Sequence, residues 1–545
     1  MKRIFIYLIL FFISSNSYAV KVALIHFSPK KYDKLYNIKK LTKFCEYAAK
    51  IKAKLIITPE LSTTGYSFKN RDDIAAYVDT IPDNTVNLFR KIALNYNTNI
   101  ILGLAEKDEK TEIFYNSAVF IRSDGKLTKY RKKRCVFSET RWAKDGDLPI
   151  PIITTNFGKV SMLICADTFY PDAVRIAALK GAEILAVLAN WPGENAILKM
   201  RARAIENGIY IAFANRGGKE KEINFENAYS IVVSPDGEVL KKYKGRDKVI
   251  FCNIDLSKIK RVRKLYPFLK LRRPEIYQDL VLNTFKYDIA KLFDLPKPQD
   301  ILVGAMKIDL SLCKNVFNFI SFMLEKLKNQ GKHLDFLCLS EFFYCNHPKD
   351  FSEVLKISSD FEKVVSKLVK ICRKYKLYIV TGILEKFENK FFRSSILVSQ
   401  DGVIGKYRKT HLLREDFDLK LSYGNKFPVF KTKKCSVGLL VSEDIFFPEA
   451  AEVEAHKGAD IVFVPASSLD KKLDFLAPLR VDQGVDIVFV NKRGLVGIFY
   501  KDKGKVKSKL LKEPWGIIIA KINTKYIREK YWLENLEYNF FFIRP

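Results

Sequence analysis

Three side chains in this sequence have the types that acyl transfer uses: the thiol of Cys165, the carboxyl of Glu60 and the amine of Lys132. Such a reaction needs a nucleophile, a base and a group that holds the oxyanion. Before residue 300 the only histidine is His26, on the first predicted strand, so the base role falls to a carboxylate. Glu60 and Cys165 each stand at the end of a predicted strand, and in an α/β sheet such ends converge on one crevice. Lys132, on a hairpin arm, reaches the same place. There it would lower the thiol pKa and balance developing negative charge, while Glu60 carries the proton. Taken alone, Cys165 reads better as a buried structural thiol, because free cysteine is among the most buried residue types. Its partners make the case for chemistry.

The elements that must position these groups can be read from the pattern. From Gly158 to Pro192 the chain runs as a buried strand over Val160 to Ile164 and a sharp turn carrying Cys165-Ala166-Asp167. A helix then opens near Pro171, and a second apolar strand, Ile184 to Leu188, ends in Asn190-Trp191-Pro192. A nucleophile on a strand-to-helix elbow is held rigidly beside backbone N–H groups. Upstream, VALIHF is a strand, Tyr32 to Lys52 a helix, LIITPE a strand ending on Glu60, Leu88 to Tyr96 a helix and NIILGLAE a strand. FYNSAVFIR and KLTKYRKK form a hairpin on the Asp124-Gly125 turn. Downstream come a helix over Leu198 to Asn207, the strand YIAFANRGG, a second Asp-Gly hairpin and the closing strand VIFCNIDL. This order implies an α/β layered fold with mixed sheets.

With 545 residues and 48% hydrophobic content, the chain is globular material for two or more domains. Its net charge of +33 comes from lysines scattered along the chain, with no RNA-binding signature and no zinc-finger spacing, which reads as a solvated surface without a nucleic-acid partner. MKRIF, the apolar run Ile4 to Ile13 and Ser17-Tyr18-Ala19 have the form of a secretory signal cut after Ala19, with an uncleaved anchor as the alternative. No other run is long and apolar enough to cross a membrane, so a secreted or periplasmic protein without a stable span is expected. Nine cysteines and no CxxC pair support neither a zinc ribbon nor a thioredoxin motif.

After residue 300 the pattern starts again. ILVGAMKIDL repeats the first strand, LDFLCLSEFF repeats LIITPELST, and CSVGLLVSEDIFFPEA repeats the stretch around Cys165. The offsets hold: 409 − 132 = 277, 442 − 165 = 277 and 341 − 60 = 281. One domain has been duplicated. The expected division is a signal at 1–19, a first domain at 20–277, a linker at 278–300 and a second domain at 301–545.

Pro59-Glu60, Tyr130-Arg131-Lys132, Ile164-Cys165-Ala166-Asp167 with Tyr170-Pro171-Asp172, and Arg203-Ala204-Ile205-Glu206-Asn207 leading to Asn215-Arg216-Gly217 resemble the nitrilase superfamily of carbon–nitrogen hydrolases. The resemblance implies an α-β-β-α four-layer sandwich in two copies. It implies Cys165 as nucleophile, Glu60 as base then acid, and Lys132 with the Ala166 N–H as oxyanion stabiliser. Glu139 falls near the family's second glutamate, which orders the lysine and the incoming water. No metal and no organic cofactor is called for. Asp167 with Phe169-Tyr170-Pro171 looks like the amidase and carbamoylase branches, so a small amide or carbamoyl substrate is expected. In the second repeat Glu341 and Lys409 are present but Ser442 replaces the thiol, which implies an inactive or impaired copy. Family members pair as dimers, and a duplicated chain implies an intrachain pseudo-dimer, with a homo-oligomer as a further possibility. An acyltransferase using the same acyl-cysteine, and a non-catalytic scaffold, are the alternative readings.

Overall fold

The computed structural model describes residues 19–221, 223–282, 284, 287–313 and 315–528. Residues 1–18 of the expected signal lie outside the described residues. The chain forms two compact units, the first running to Leu269 and the second starting at Lys270.

The first unit holds two six-stranded mixed sheets. One runs in the order Lys248–Asp255, Ala19–His26, Leu55–Ile57, Asn99–Lys107, Phe114–Ile121 and Leu127–Arg131. The other runs Val239–Tyr243, Ser230–Val233, Tyr210–Asn215, Ile184–Ala189, Lys159–Ile164 and Ile153–Thr154. The central strands of both are parallel, and the flanking ones antiparallel. Buried on both faces, the central strands read as continuous apolar runs such as ILAVLA. The helices Lys34–Lys50 and Asn84–Tyr96 cover the first sheet, placing Leu41, Cys45, Val86, Phe89 and Ile92 against Ala23, Ile25, Ile56 and Leu102. Asp33 and Asp83 cap these helices by accepting from Tyr36 and Val86 N–H groups. The helices Pro171–Leu179 and Asn195–Asn207 accompany the second sheet, giving the expected α-β-β-α sandwich. Both begin close to the residues at which the sequence pattern placed them.

The second unit repeats this plan. Its sheets run Gly402–Arg408, Lys390–Ser399, Tyr378–Phe387, Phe336–Leu339, Asp300–Lys307, Gly516–Asn523, and Val429–Lys431, Ser436–Leu439, Ile461–Ala466, Asp486–Asn491, Val496–Asp502, Lys505–Leu510. Residues 270–300 differ from the expected division, which gave them to a domain tail and a linker. They belong to the second unit: Arg272 is buried against Glu449 at 2.8 Å, Tyr277 Oη meets His411 Nε2 at 2.5 Å, and Leu280 and Ile289 are buried. Apolar residues spaced along this stretch, Leu280 and Ile289 among them, give it something to bury, which a solvated linker lacks. All nine cysteines are unpaired thiols.

Candidate active site

Every expected residue of the first site comes from the end of a strand or the turn that follows it. Glu60 follows the strand Leu55–Ile57, and the chain turns at Leu61 with φ +47°. Gly103 lets this turn approach the neighbouring strand, since a Cβ there would lie 2.3 Å from the Pro59 carbonyl oxygen. Lys132 follows Leu127–Arg131, and Glu139 lies on the short turn Phe137–Arg141. Cys165 opens the turn Cys165–Thr168 in the left-handed region, φ +43°, a strained conformation for a non-glycine residue.

Lys132 is the hub. Its Nζ donates to Glu60 Oε1 at 2.6 Å and to both Glu139 oxygens at 2.7 Å. All three side chains are buried, and Cys165 keeps 6% of its surface exposed. Asn116 Nδ2 donates to the same Glu60 oxygen at 2.8 Å, and the Asn190 N–H donates to Glu60 Oε2 at 2.8 Å. Asp167 ties the elbow to the lysine loop: its Oδ2 accepts from the Ile164 N–H and Tyr130 Oη, and its Oδ1 accepts from the Lys133 and Arg134 N–H groups. Tyr66 joins the cluster from the loop after Glu60; burial, then Glu139, raise its phenol pKa against the pull of Lys132.

Lys132 lowers the thiol pKa as expected, but it is not the largest influence. Burial, followed by the Glu60 charge, holds the Cys165 thiol well above the usual cysteine range, and the opposing pull of Lys132 does not overcome them. The resting group is a protonated thiol, not a lysine-stabilised thiolate. Burial also pushes Glu139 up to about 8 against the pull of Lys132, with Glu60 adding to the rise. Lys132 rests above the ordinary lysine value; burial opposes its charge, but Glu139 and Glu60 outweigh it.

Asn116, the Asn190 N–H and Tyr66 were not singled out from the sequence as site residues. Asn116 is the one amide within the apolar strand Phe114–Ile121, a signal that was available. The Asn190 contribution is a backbone group and leaves no trace in residue type.

The second repeat brings Glu341, Lys409 and Ser442 to the corresponding elbows, Ser442 again with a left-handed φ of +46°. The partners differ. Arg393 stands at the position of Asn116 (116 + 277 = 393) and donates to Glu341 from Nε at 2.7 Å and Nη2 at 2.6 Å. Lys409 Nζ pairs with Asp416 and Glu443, each at 2.7 Å. His411 is held by Asp444 at 2.8 Å, while Ser442 Oγ donates to Glu443 Oε1.

A sandwich of two facing mixed sheets, with a thiol, an ammonium and two carboxylates gathered at strand ends, defines a class of buried-cysteine α-β-β-α proteins. Within that class the chain belongs to the carbon-nitrogen hydrolase family, whose sequence model matches residues 21–264 and 320–529. It is similar to a nitrilase of Pyrococcus abyssi, 35% identical over 262 residues, covering 47% of this chain and 99% of that protein. It is also similar to an omega-amidase of Saccharomyces cerevisiae, 27% identical, covering 48% of this chain and 97% of the relative. Among solved structures, a carbon-nitrogen hydrolase of Helicobacter pylori G27 is 28% identical with a TM-score of 0.46, covering 48% of this chain and 98% of that one. The protein is thus a carbon-nitrogen hydrolase, an enzyme of C–N bonds other than peptide bonds, in tandem form. Among the described residues no helix is long and apolar enough to cross a membrane.

Proposed function

We propose that the first repeat hydrolyses a small amide or carbamoyl compound through an acyl-Cys165 thioester. The observation that carries this reading is the Lys132 hub, with one carboxylate on each side and the buried thiol at the neighbouring elbow. Cys165 Sγ attacks the carbonyl carbon as its proton passes to Glu60. Lys132 Nζ and the Ala166 N–H balance the charge that gathers on the carbonyl oxygen. The C–N bond breaks, the amine leaves with the proton from Glu60, and a thioester remains. Water, deprotonated by Glu60 beside Glu139, cleaves the thioester and restores the thiol. A protonated resting thiol suits this cycle, because the base is already in place and no free thiolate is stored.

The second repeat, with Ser442 at the elbow, is proposed not to turn over: a serine hydroxyl is far less ionised than a thiol, no histidine base is supplied, and Glu341, the counterpart of Glu60, is held by Arg393. That the duplicated chain serves as its own pair of subunits is proposed from the duplication alone. A chain ending at Leu269 that stayed soluble and fully active would overturn it. Export with cleavage after Ala19 is proposed from the N-terminal pattern, and the mass of the mature protein tests it.

The test of the main reading is intact-protein mass and ammonia release after brief exposure to a panel of small amides. An acyl adduct or released ammonia that vanishes in Cys165→Ala supports the proposal. Transfer of the acyl group to added amines in preference to water would make the enzyme an acyltransferase. Neither adduct nor release with any amide would overturn the hydrolase reading.

A further inference from the structure

The two elbows differ by more than sulfur against oxygen. Ser442 has no exposed surface, whereas Cys165 keeps 6%. Next to the nucleophile, Glu443 replaces Ala166 (166 + 277 = 443). Ser442 Oγ donates to Glu443 Oε1 at 3.1 Å, while Glu443 Oε2 lies 2.7 Å from Lys409 Nζ and 3.3 Å from Arg393 Nη1. One carboxylate therefore spans the nucleophile oxygen and the amine. In the first repeat those are the two groups placed on either side of the reacting carbonyl. We propose that the second site is closed from within: Glu443 lies where an acyl group would bind and acts as a built-in mimic of a carboxylate product, so this repeat neither binds nor turns over an amide.

The charges support a matched pair of changes. The first site sets Lys132 against Glu60 and Glu139, one cation against two carboxyls. The second sets Lys409 and Arg393 against Glu341, Asp416 and Glu443, two against three. Glu443 and Arg393 enter together with opposite sign, as burial requires, because one of them alone would be an uncompensated buried charge. Their joint removal returns the charge count of the first site. Restoring a thiol alone would leave it covered.

This inference rests on the reading of Cys165 and Lys132 given above, and its test does not depend on turnover. In the full chain carrying Cys165→Ala, Ser442→Cys is compared with Ser442→Cys/Glu443→Ala/Arg393→Asn, using iodoacetamide as the probe and peptide mass mapping at position 442. In the labelling step an S–CH₂ bond forms, the C–I bond breaks, iodide leaves and the thiol proton goes to solvent. Cys435, fully buried in the same unit, is the internal reference. The single variant is expected to label no faster than Cys435, and the triple variant at least about tenfold faster, since thiol reactivity follows access and thiolate fraction. Equal labelling of the single and triple variants, or a folded triple variant that labels no faster than Cys435, overturns the proposal. Should the triple variant lose its thermal transition, Ser442→Cys/Glu443→Gln decides instead, with faster labelling than the single variant expected and equal labelling overturning. Ammonia release by the unmodified chain, measured in parallel, reports on the first site alone, so failure of that reading is seen separately.

Discussion

At the scale of residues, the central fact is a thiol that is protonated at rest beside a carboxylate ready to take its proton. Burial holds the Cys165 pKa well above the usual range. Alkylation of Cys165 by iodoacetamide should therefore keep accelerating with pH through about pH 9, where an ordinary thiol near 8.5 already levels off. A rate that levels off below pH 7 would show a stored thiolate and defeat this account. Glu60→Gln keeps the shape but removes the base, and should lower kcat by about 10²–10⁴-fold, the usual range for general acid–base catalysis. A near-normal kcat in that variant would move the base role elsewhere. Glu60 and Cys165 were picked out because each stands at a predicted strand end, Lys132 because it lies on the hairpin arm, and Glu139 only through the family resemblance; the structure gathers all four at one place. The ionisation state of Cys165 was not legible, because it depends on the balance of burial, Glu60 and Lys132, which only distances and packing decide.

At the scale of elements, the elbow trades stability for placement. Cys165 and Ser442 both hold left-handed φ values, +43° and +46°, so the second repeat keeps the strain without the thiol. A non-glycine residue in this region costs about 1–2 kcal/mol. Cys165→Gly should accordingly be about 1 kcal/mol more stable than Cys165→Ala by denaturant unfolding, although glycine is the smaller side chain. Alanine equal to or more stable than glycine would mean the elbow is unstrained. Behind the elbow, Asn215 clamps the backbone of Trp191, accepting from its N–H and donating to its carbonyl at 2.9 Å each, and so fixes the neighbouring Asn190 N–H on Glu60 Oε2. Asn491 holds Ser468 in the same way, at 3.0 Å each. The strands and helices were readable because their apolar periods are regular. The clamp was not, because it joins side chain to backbone across two strands. The unit to which the stretch 270–300 belongs was not legible for a related reason: Arg272 is buried by a carboxylate 177 residues away.

At the scale of the whole molecule, several buried acids make stability depend on pH in a defined direction. Burial raises Glu139 to about 8 and Asp79 to about 7, and holds the fully buried Glu454 well above the usual carboxyl range. In the unfolded chain these groups ionise near pH 4, so between about pH 4.5 and 8 the native state carries more protons than the unfolded one. Stability then falls as pH rises, by up to about 1.4 kcal/mol per pH unit for each group that stays protonated in the native state. Below about pH 6.5 the buried His26, lowered to about 4, and His411, also lowered by burial, act in the opposite sense, since the unfolded chain takes up protons that the native chain refuses. The window from pH 6.5 to 8 is therefore the one in which the acids act without opposition from the histidines. The thermal midpoint should fall across it, and Glu454→Gln, which keeps the buried shape but has no proton to lose, should flatten the fall while leaving the fold intact. A midpoint that rises over this window, or an unchanged slope in Glu454→Gln, would show that these carboxyls ionise within the folded protein and that the buried clusters of both repeats are solvated more than their packing implies.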